Sequence, residues 1–252
     1  VKTRVQNIAK DHRLRVFFPT NAETDTYLAD SAFDVVERPI ALDPASYTYR
    51  EPEIEMKPQV MWTAVSDQKR GLAVISTGLL ESSVRDTAQR PIALTLFRGT
   101  ERTVFTNGEP KGQLLGELEF DYWLKPLFGE PDRVELLRLG QQLAAPIETV
   151  AIYADDTAED PQDIALAPEY SLAEIVGDAI ITSCRMLGEE IEIRLFNPND
   201  SESKASLTFN RPITEASLTN FEGQSPENIP VQDNTIPLKF TPKQILTLRI
   251  QI

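Results

Sequence analysis

The chain has 252 residues, and its 25 lysines and arginines stand against 39 aspartates and glutamates, which gives a formal charge of −14. This length suffices for one large core or two small ones, and 41% hydrophobic residues is ordinary for a folded protein. The acidic balance argues against nucleic acid and anionic membrane surfaces as partners, because both require a basic face. No apolar run reaches the ~20 residues that span a bilayer.

The chain contains one cysteine and one histidine, and each of these counts restricts the possible chemistry. Cys184 alone cannot form an internal disulfide or a cysteine-rich metal site. His12 alone excludes a histidine-rich zinc or iron site and leaves one candidate for a Ser-His or Cys-His arrangement. Its place between Asp11 and Arg13 at the start of a strand is typical of a surface or edge residue. We therefore predict no catalytic, cofactor-binding or metal-binding residue from these patterns.

The first residues already alternate between apolar and polar. The chain begins at Val1 without an initiator methionine, and this start resembles the interior of a strand. We expect a fragment of a longer polypeptide, with processing or a tag as the alternative.

Alternation with period two predicts strands along most of the chain. In chain order the runs are Arg13–Phe18, Gly71–Val74, Ile92–Phe97, Leu118–Leu124, Ile191–Leu195, Ala205–Phe209 and Leu246–Ile252. Turn residues separate some of them, namely Asn107-Gly108 and the stretch from Asn197 to Asp200. Many short strands without interleaved helices indicate an all-β fold of antiparallel sandwiches.

One stretch, from Asp132 to Ala144, predicts a short helix. Leu136, Leu139 and Leu143 share one helical face, Asp132 is available as the N-cap, and Pro146 ends the pattern. Gly140 in its interior disfavours the helix by about 1 kcal/mol relative to alanine.

A shift in composition marks the predicted domain boundary. Residues 154–169 contain six acidic residues and neither lysine nor arginine, so they are expected to form a solvated linker. A calcium-binding loop is the alternative, although the spacing lacks the Asp-x-Asp-x-Asp-Gly pattern. We predict a large β-sandwich over 1–153, an acidic linker over 154–169 and a small terminal β-sandwich over 170–252.

The remaining signals for chemistry are weak. Carboxylates are plentiful, yet no pair is distinguished by its surroundings, and the glycines are isolated rather than arranged in a phosphate-binding loop. Aromatic side chains could stack on sugar rings, and the candidates are Tyr47, Tyr49, Trp62, Tyr122 and Trp123. Packing within the sheets is the alternative for all five.

Residues 58–98 carry a more specific pattern, PQVMWTAVSDQKRGLAVISTGLLESSVRDTAQRPIALTLFR. It resembles the C-terminal region of glycoside hydrolase family 38, which contains α-mannosidases and mannosylglycerate hydrolases. The matching positions are Gln59, Trp62, Ser66, Asp67, Gly71 to Val74, Gly78, Leu79, Glu81 and Ile92 to Arg98. The resemblance extends to Arg13–Asn21, Phe33–Pro39, Phe120–Pro126, Ser171–Ser183 and Arg194–Asp200. It implies part of a galactose-mutarotase-like supersandwich followed by a small β-sandwich.

The resemblance also implies what this chain does not contain. Catalysis in the family uses zinc and an aspartate nucleophile in an N-terminal α/β barrel, and the chain has neither the barrel sequence nor a His-x-Asp motif. We therefore expect the C-terminal β-region of a family 38 α-mannosidase, with no cofactor of its own and zinc only in the full-length enzyme. Its expected partners are its own N-terminal catalytic domain and a carbohydrate substrate.

One substrate-binding residue is implied by the resemblance. In some members an arginine on the strand that matches Ile92 to Arg98 approaches the cleft, which nominates Arg98; a salt bridge at a strand end is the alternative. Glu81, Asp67 and Trp62 are expected to fix turns and packing. A free-standing carbohydrate-binding β-sandwich and a small hydrolase with a carboxylate pair remain as alternative functions. The single cysteine and the absence of a signal sequence favour the cytoplasm.

Overall fold

The computed structural model describes residues 1–101, 112–145, 147–150 and 169–252. The predicted turn at Asn107-Gly108, Pro146 and residues 154–168 of the predicted linker lie outside these ranges. The chain divides into two compact units, Val1–Ala144 and Ala145–Ile252.

The first unit contains two antiparallel sheets. A six-stranded sheet has the order β1-β10-β7-β6-β3-β4, and a four-stranded sheet has the order β2-β9-β8-β5. The strands are β1 (Lys2–Asn7), β2 (Arg13–Phe18), β3 (Thr26–Ser31), β4 (Asp34–Pro39), β5 (Lys57–Pro58), β6 (Trp62–Ser66), β7 (Gly71–Ser76), β8 (Glu81–Val84), β9 (Ile92–Arg98) and β10 (Gly116–Leu127). One turn of 3-10 helix (Pro44–Thr48) lies between β4 and β5.

Both sheets of the first unit contribute to one hydrophobic core. Its buried members are Ala22, Tyr27, Ala29, Ile40, Val65, Val74, Val84, Ile92, Leu94, Leu96, Phe97 and Tyr122. Most of them come from alternate strand positions, as period two requires, whereas Leu96 and Phe97 are consecutive. The predicted alternation locates Val74, Ile92, Leu94, Leu96 and Tyr122 in the core correctly.

The predicted helix is present as α1 (Arg133–Ala144), and it packs on β6. The side chain of Asp132 accepts a hydrogen bond from the backbone N–H of Glu135 at 2.9 Å, which is the N-cap expected from the sequence. Gly140 has a packing reason, because a Cβ atom there would lie 3.0 Å from the Sδ atom of Met61, the residue directly before β6. The glycine lets the helix approach the sheet closely.

The second unit contains a three-stranded sheet, β11-β14-β17, and a five-stranded sheet, β12-β13-β18-β15-β16. Its strands are β11 (Ala173–Gly177), β12 (Ile180–Leu187), β13 (Glu190–Phe196), β14 (Ser203–Phe209), β15 (Glu215–Thr219), β16 (Glu227–Asn228), β17 (Thr235–Phe240) and β18 (Ile245–Gln251). Residues from both sheets form its core, including Ile193, Leu207, Ile236 and Leu248. Every ladder in the two units is antiparallel, so the all-β prediction is confirmed.

Candidate functional site

Strand β9 departs from the strict alternation that its sequence predicts. Leu14 and Arg15 of β2 are consecutive, yet they pair with Phe97 and Thr95, so Leu96 is an extra residue in β9. Such a β-bulge reverses the side to which the following residues point. As a result both Leu96 and Phe97 contribute to the core, whereas strict alternation assigns only Leu96 to it.

The bulge decides where Arg98 points. Strict alternation would place Arg98 on the same face as Ile92 and Leu94, which are fully buried. Beyond the bulge, Arg98 instead pairs with Arg13 of β2 on the outer face of the four-stranded sheet. Arg98 is exposed, and its side chain forms no hydrogen bond or ion pair with any residue that the structure describes. The salt-bridge alternative therefore has no partner among those residues.

Arg13, directly opposite Arg98, is held by a carboxylate. Its Nη1 atom lies 3.4 Å from the Oε1 atom of Glu81, and the same oxygen accepts a hydrogen bond from the Thr95 hydroxyl at 2.7 Å. Glu81, which the resemblance assigned to a turn or packing role, thus fixes one arginine on β2 and ties β8 to β9.

Arg15 lies two residues further along the same face and is also held. Its Nη1 atom lies 3.3 Å from both Glu55 and Ser83, and its guanidinium lies 5.1 Å from the ring centroid of Phe17. Only 16% of the Arg15 side chain is exposed, whereas 43% of Phe17 is. Arg13, Arg15, Phe17, Thr95 and Arg98 point to this side of the four-stranded sheet, which we call the arginine face. Phe17 and Arg98 are exposed on it, Arg13 and Arg15 are largely covered, and Thr95 is buried.

The other residues of the family pattern are structural. Asp67 accepts hydrogen bonds from the backbone N–H groups of Glu23, Lys69 and Arg70, and these hold the pKa of its carboxyl at about 2. Trp62 is fully buried. Both residues therefore fix turns and packing.

The five aromatic candidates for sugar binding differ in exposure, and Trp123 on β10 is half-buried. Trp62 and Tyr122 are buried, so their rings cannot stack on a ligand. Tyr47 and Tyr49 are exposed at the 3-10 helix. The packing alternative therefore applies to Trp62 and Tyr122, and Phe17, which the sequence did not distinguish from other strand residues, joins the exposed aromatics.

Metal-ligating groups are dispersed in the part of the chain that the structure describes. No three of its His, Cys, Asp and Glu side chains lie close enough together to hold a metal ion. The ring of His12 packs edge-on against Phe97 at 5.1 Å. The His, Cys, Asp and Glu side chains that the structure describes therefore form no zinc site. No helix among the described residues is long and apolar enough to cross a membrane.

The second unit has arginines on an outer face too, but there a buried carboxylate lies between them. Glu192 of β13 pairs across the sheet with Arg185 of β12 and Arg249 of β18. Its side chain is 2% exposed, 2.7 Å from the Nη2 atom of Arg185 and 3.6 Å from the Nε atom of Arg249. Arg249 also reaches Glu190 at 3.2 Å. These arginines are engaged within the fold.

One buried carboxyl of the first unit has no such cation. Asp30 of β3 is 2% exposed, and among the described residues its carboxylate accepts one hydrogen bond, from the backbone N–H of Met61 at 3.1 Å. Burial raises the pKa of the Asp30 carboxyl to about 7, because the charged form loses its hydration. Asp30 lies in β3 beside β4 and β6 of the six-stranded sheet, away from the arginine face.

Comparisons with known proteins agree on one class. Residues 179–248 match the model of the glycosyl hydrolases family 38 C-terminal beta sandwich domain. A putative mannosylglycerate hydrolase of Halalkalibacterium halodurans is 24% identical over the whole chain, which spans 27% of that relative. The crystal structure of an alpha-mannosidase from Enterococcus faecalis V583 has 28% identity and a TM-score of 0.77, covering 98% of this chain and 27% of that one. A family 38 structure from Enterococcus faecalis gives a TM-score of 0.71 with the same coverage.

The resemblance found in the sequence is confirmed: residues 179–248 match the C-terminal β-sandwich model of family 38, and the whole chain is similar to the corresponding quarter of the family 38 relatives. The chain spans about a quarter of the length of the relatives that it matches.

Proposed function

We propose that this chain is the C-terminal β-region of an enzyme that hydrolyses α-mannosides, where it supports the substrate cleft and does not catalyse alone. The observation that carries the proposal is the match of 98% of the chain to one quarter of an alpha-mannosidase structure. Zinc and the nucleophile would belong to the remaining three quarters of such an enzyme.

Arg98 is the residue proposed to reach the substrate. It lies exposed at the end of β9, and the bulge at Leu96 places it on the arginine face. A guanidinium presents several donors in a fixed plane, which suits sugar hydroxyls or a carboxylate on an anionic aglycone. The putative mannosylglycerate hydrolase among the relatives supports the anionic aglycone.

A truncation experiment tests this division of labour. The protein that carries this chain should hydrolyse an aryl α-mannoside, and residues 1–252 alone should not, with or without added zinc. Turnover by residues 1–252 that a chelator abolishes would contradict the proposal.

We also propose that the protein is cytoplasmic. The exposed free thiol of Cys184 supports a reducing compartment.

A further inference from the structure

Strand β1 forms one edge of the six-stranded sheet, and among the described residues only β10 pairs with it. The Val1 amino group donates to the Tyr122 carbonyl at 2.7 Å, and the Tyr122 N–H donates to the Val1 carbonyl at 3.1 Å. In an antiparallel ladder such doubly bonded pairs alternate with pairs that exchange no hydrogen bond. The register therefore turns the backbone N–H and C=O groups of Lys2, Arg4 and Gln6 away from β10. All three residues are exposed.

The opposite edge of the same sheet, β4, is protected against a further strand. The hydrogen bond from the Ile40 N–H to the Asp25 carbonyl fixes the same alternation there, so the backbone groups of Glu37 and Pro39 point outward. Pro39 has no N–H to offer, and an edge proline is one device that prevents edge-to-edge pairing. Strand β1 contains no proline, and its register with β10 has no bulge. Its edge is therefore open to pairing.

The hydrophobic core of the first unit is also open beside β1. Strand β2 is an edge of the four-stranded sheet, and its Phe18 packs on Tyr122 of β10 with 5.6 Å between the ring centroids. The core residues on this side are only partly buried, and they are Leu14, Val16 and Phe18 of β2 and Leu118 and Phe120 of β10. A strand paired with β1 would set its own inward side chains beside Val5 and cover this side of the core.

The charged side chains of β1 leave its edge accessible. Lys2 and Arg4 both contact Glu119 of β10, so they lean over the sheet toward that strand. A second copy of this chain is a poor occupant, because antiparallel pairing of β1 with itself from Lys2 to Gln6 would set Arg4 opposite Arg4 of the copy. A different strand fits the edge if it carries polar or acidic residues opposite Lys2 and Arg4 and apolar residues opposite Val5.

We propose that the edge of β1 is the docking site for a strand from the remaining three quarters of the enzyme, which pairs with Lys2, Arg4 and Gln6 and extends the six-stranded sheet. This inference rests on the proposed function, because the remaining part of the enzyme is taken from there. It assigns β1 to the interface with that part and leaves β4 as a free edge.

Hydrogen exchange in the protein that carries this chain, read at single amides by mass spectrometry, tests the pairing. The amides of Lys2, Arg4 and Gln6 should exchange at least about 100-fold more slowly than the amide of Glu37, whose N–H points outward from the other edge. Equal exchange rates at the two edges would overturn the inference. Slow exchange that is lost on dilution together with a dimer would assign the edge to a second copy, and this result would overturn it as well.

Proline substitutions in the same protein provide a second test. Arg4→Pro removes an N–H that β10 does not use, so it should lower the melting temperature only if another strand accepts that N–H. The matched control Glu37→Pro, at an equally exposed position of β4, should leave the melting temperature unchanged. Arg4→Thr keeps the N–H and loses the contact with Glu119, and it should melt as the wild type does.

Two results with these variants would contradict the inference, namely equal melting temperatures of Arg4→Pro and Glu37→Pro, or equal losses in Arg4→Pro and Arg4→Thr. Hydrolysis of an aryl α-mannoside by the wild-type protein, measured in parallel, separates the inference from the proposed function. Slow exchange at β1 without hydrolysis would refute the proposed function alone. Hydrolysis with fast exchange at β1 would refute this inference alone.

Discussion

Two outer sheet faces of this molecule carry arginines, and they differ in what lies between them. In the second unit Glu192 is buried between Arg185 and Arg249, so the arginines neutralise a charge that the fold has taken out of water. In the first unit Arg13 and Arg98 are direct cross-strand neighbours, and Glu81 reaches only Arg13. Like charges at paired positions destabilise a sheet. The arginines of the second unit therefore stabilise the fold by neutralising Glu192, whereas Arg98 of the first unit presents its guanidinium to solvent.

The largest expected effect on stability concerns Asp30. Like Glu192 it is a buried carboxyl, but among the described residues no cation lies beside it. Its pKa of about 7 in the folded chain exceeds the ordinary aspartate value of 3.8, so the folded state binds the proton more tightly. Unfolding free energy should therefore fall as pH rises from about 4 to about 7, by up to roughly 4 kcal/mol. Urea unfolding of the wild type and of Asp30→Asn at several pH values measures this.

Asp30→Asn should remove most of that pH dependence and unfold at higher urea concentration than the wild type at pH 8. Asp67 has the opposite sign, because its lowered pKa stabilises the fold above about pH 4. The two windows do not overlap. A wild-type stability that stays constant or rises between pH 4 and 7 would show that Asp30 is ionised in the folded chain without cost.

Glu192→Gln tests the buried side of the comparison. Without the charge, Arg185 and Arg249 lose their shared partner, and the cost should be about 3 kcal/mol. The matched control is Glu190→Gln, since Glu190 is 44% exposed and contacts Arg249 as well. It should cost less than about 1 kcal/mol. Equal losses in urea unfolding for the two variants would mean that Glu192 is an ordinary surface partner.

Glu81→Gln tests the first unit's half of the comparison, the pair of Glu81 with Arg13. Glu81 is 29% exposed and accepts one hydrogen bond from Thr95 besides its contact with Arg13. We expect a loss of about 1 kcal/mol in the free energy of unfolding. Glu119→Gln, at a more exposed pair with Lys2 and Arg4, serves as control and should have no measurable effect. A silent Glu81→Gln variant would argue that Arg13 is not held by this carboxylate.

The sequence predicts the class of this fold because period two survives in most strands. Core residues such as Leu94, Val74 and Leu207 follow directly from that pattern. Several strands lie outside the predicted runs, among them β3, β6, β8, β12 and β17. In β3 Asp30 interrupts the apolar pattern, and in β12 the residues from Thr182 to Arg185 are polar or small. Pairings such as β1 with β10 join residues more than 100 positions apart, and no local pattern encodes them.

The candidate site was less accessible from sequence. Arg98 emerged from the family pattern, but its direction depends on the bulge at Leu96, and only the register with β2 reveals an inserted residue. Alternation alone would have buried Arg98 beside Leu94. Phe17 had no distinguishing signal, since its exposure and its contact with Arg15 arise from tertiary structure.

The most direct measurement is the kinetics of Arg98→Lys in the protein that carries this chain. Lysine keeps the charge and loses the planar array of donors, so kcat/KM for an α-mannoside should fall by about 1–3 kcal/mol in transition-state stabilisation. The melting temperature should not change, because Arg98 has no partner among the described residues. A lower melting temperature with unchanged kinetics per folded molecule would contradict the assignment of Arg98 to the substrate.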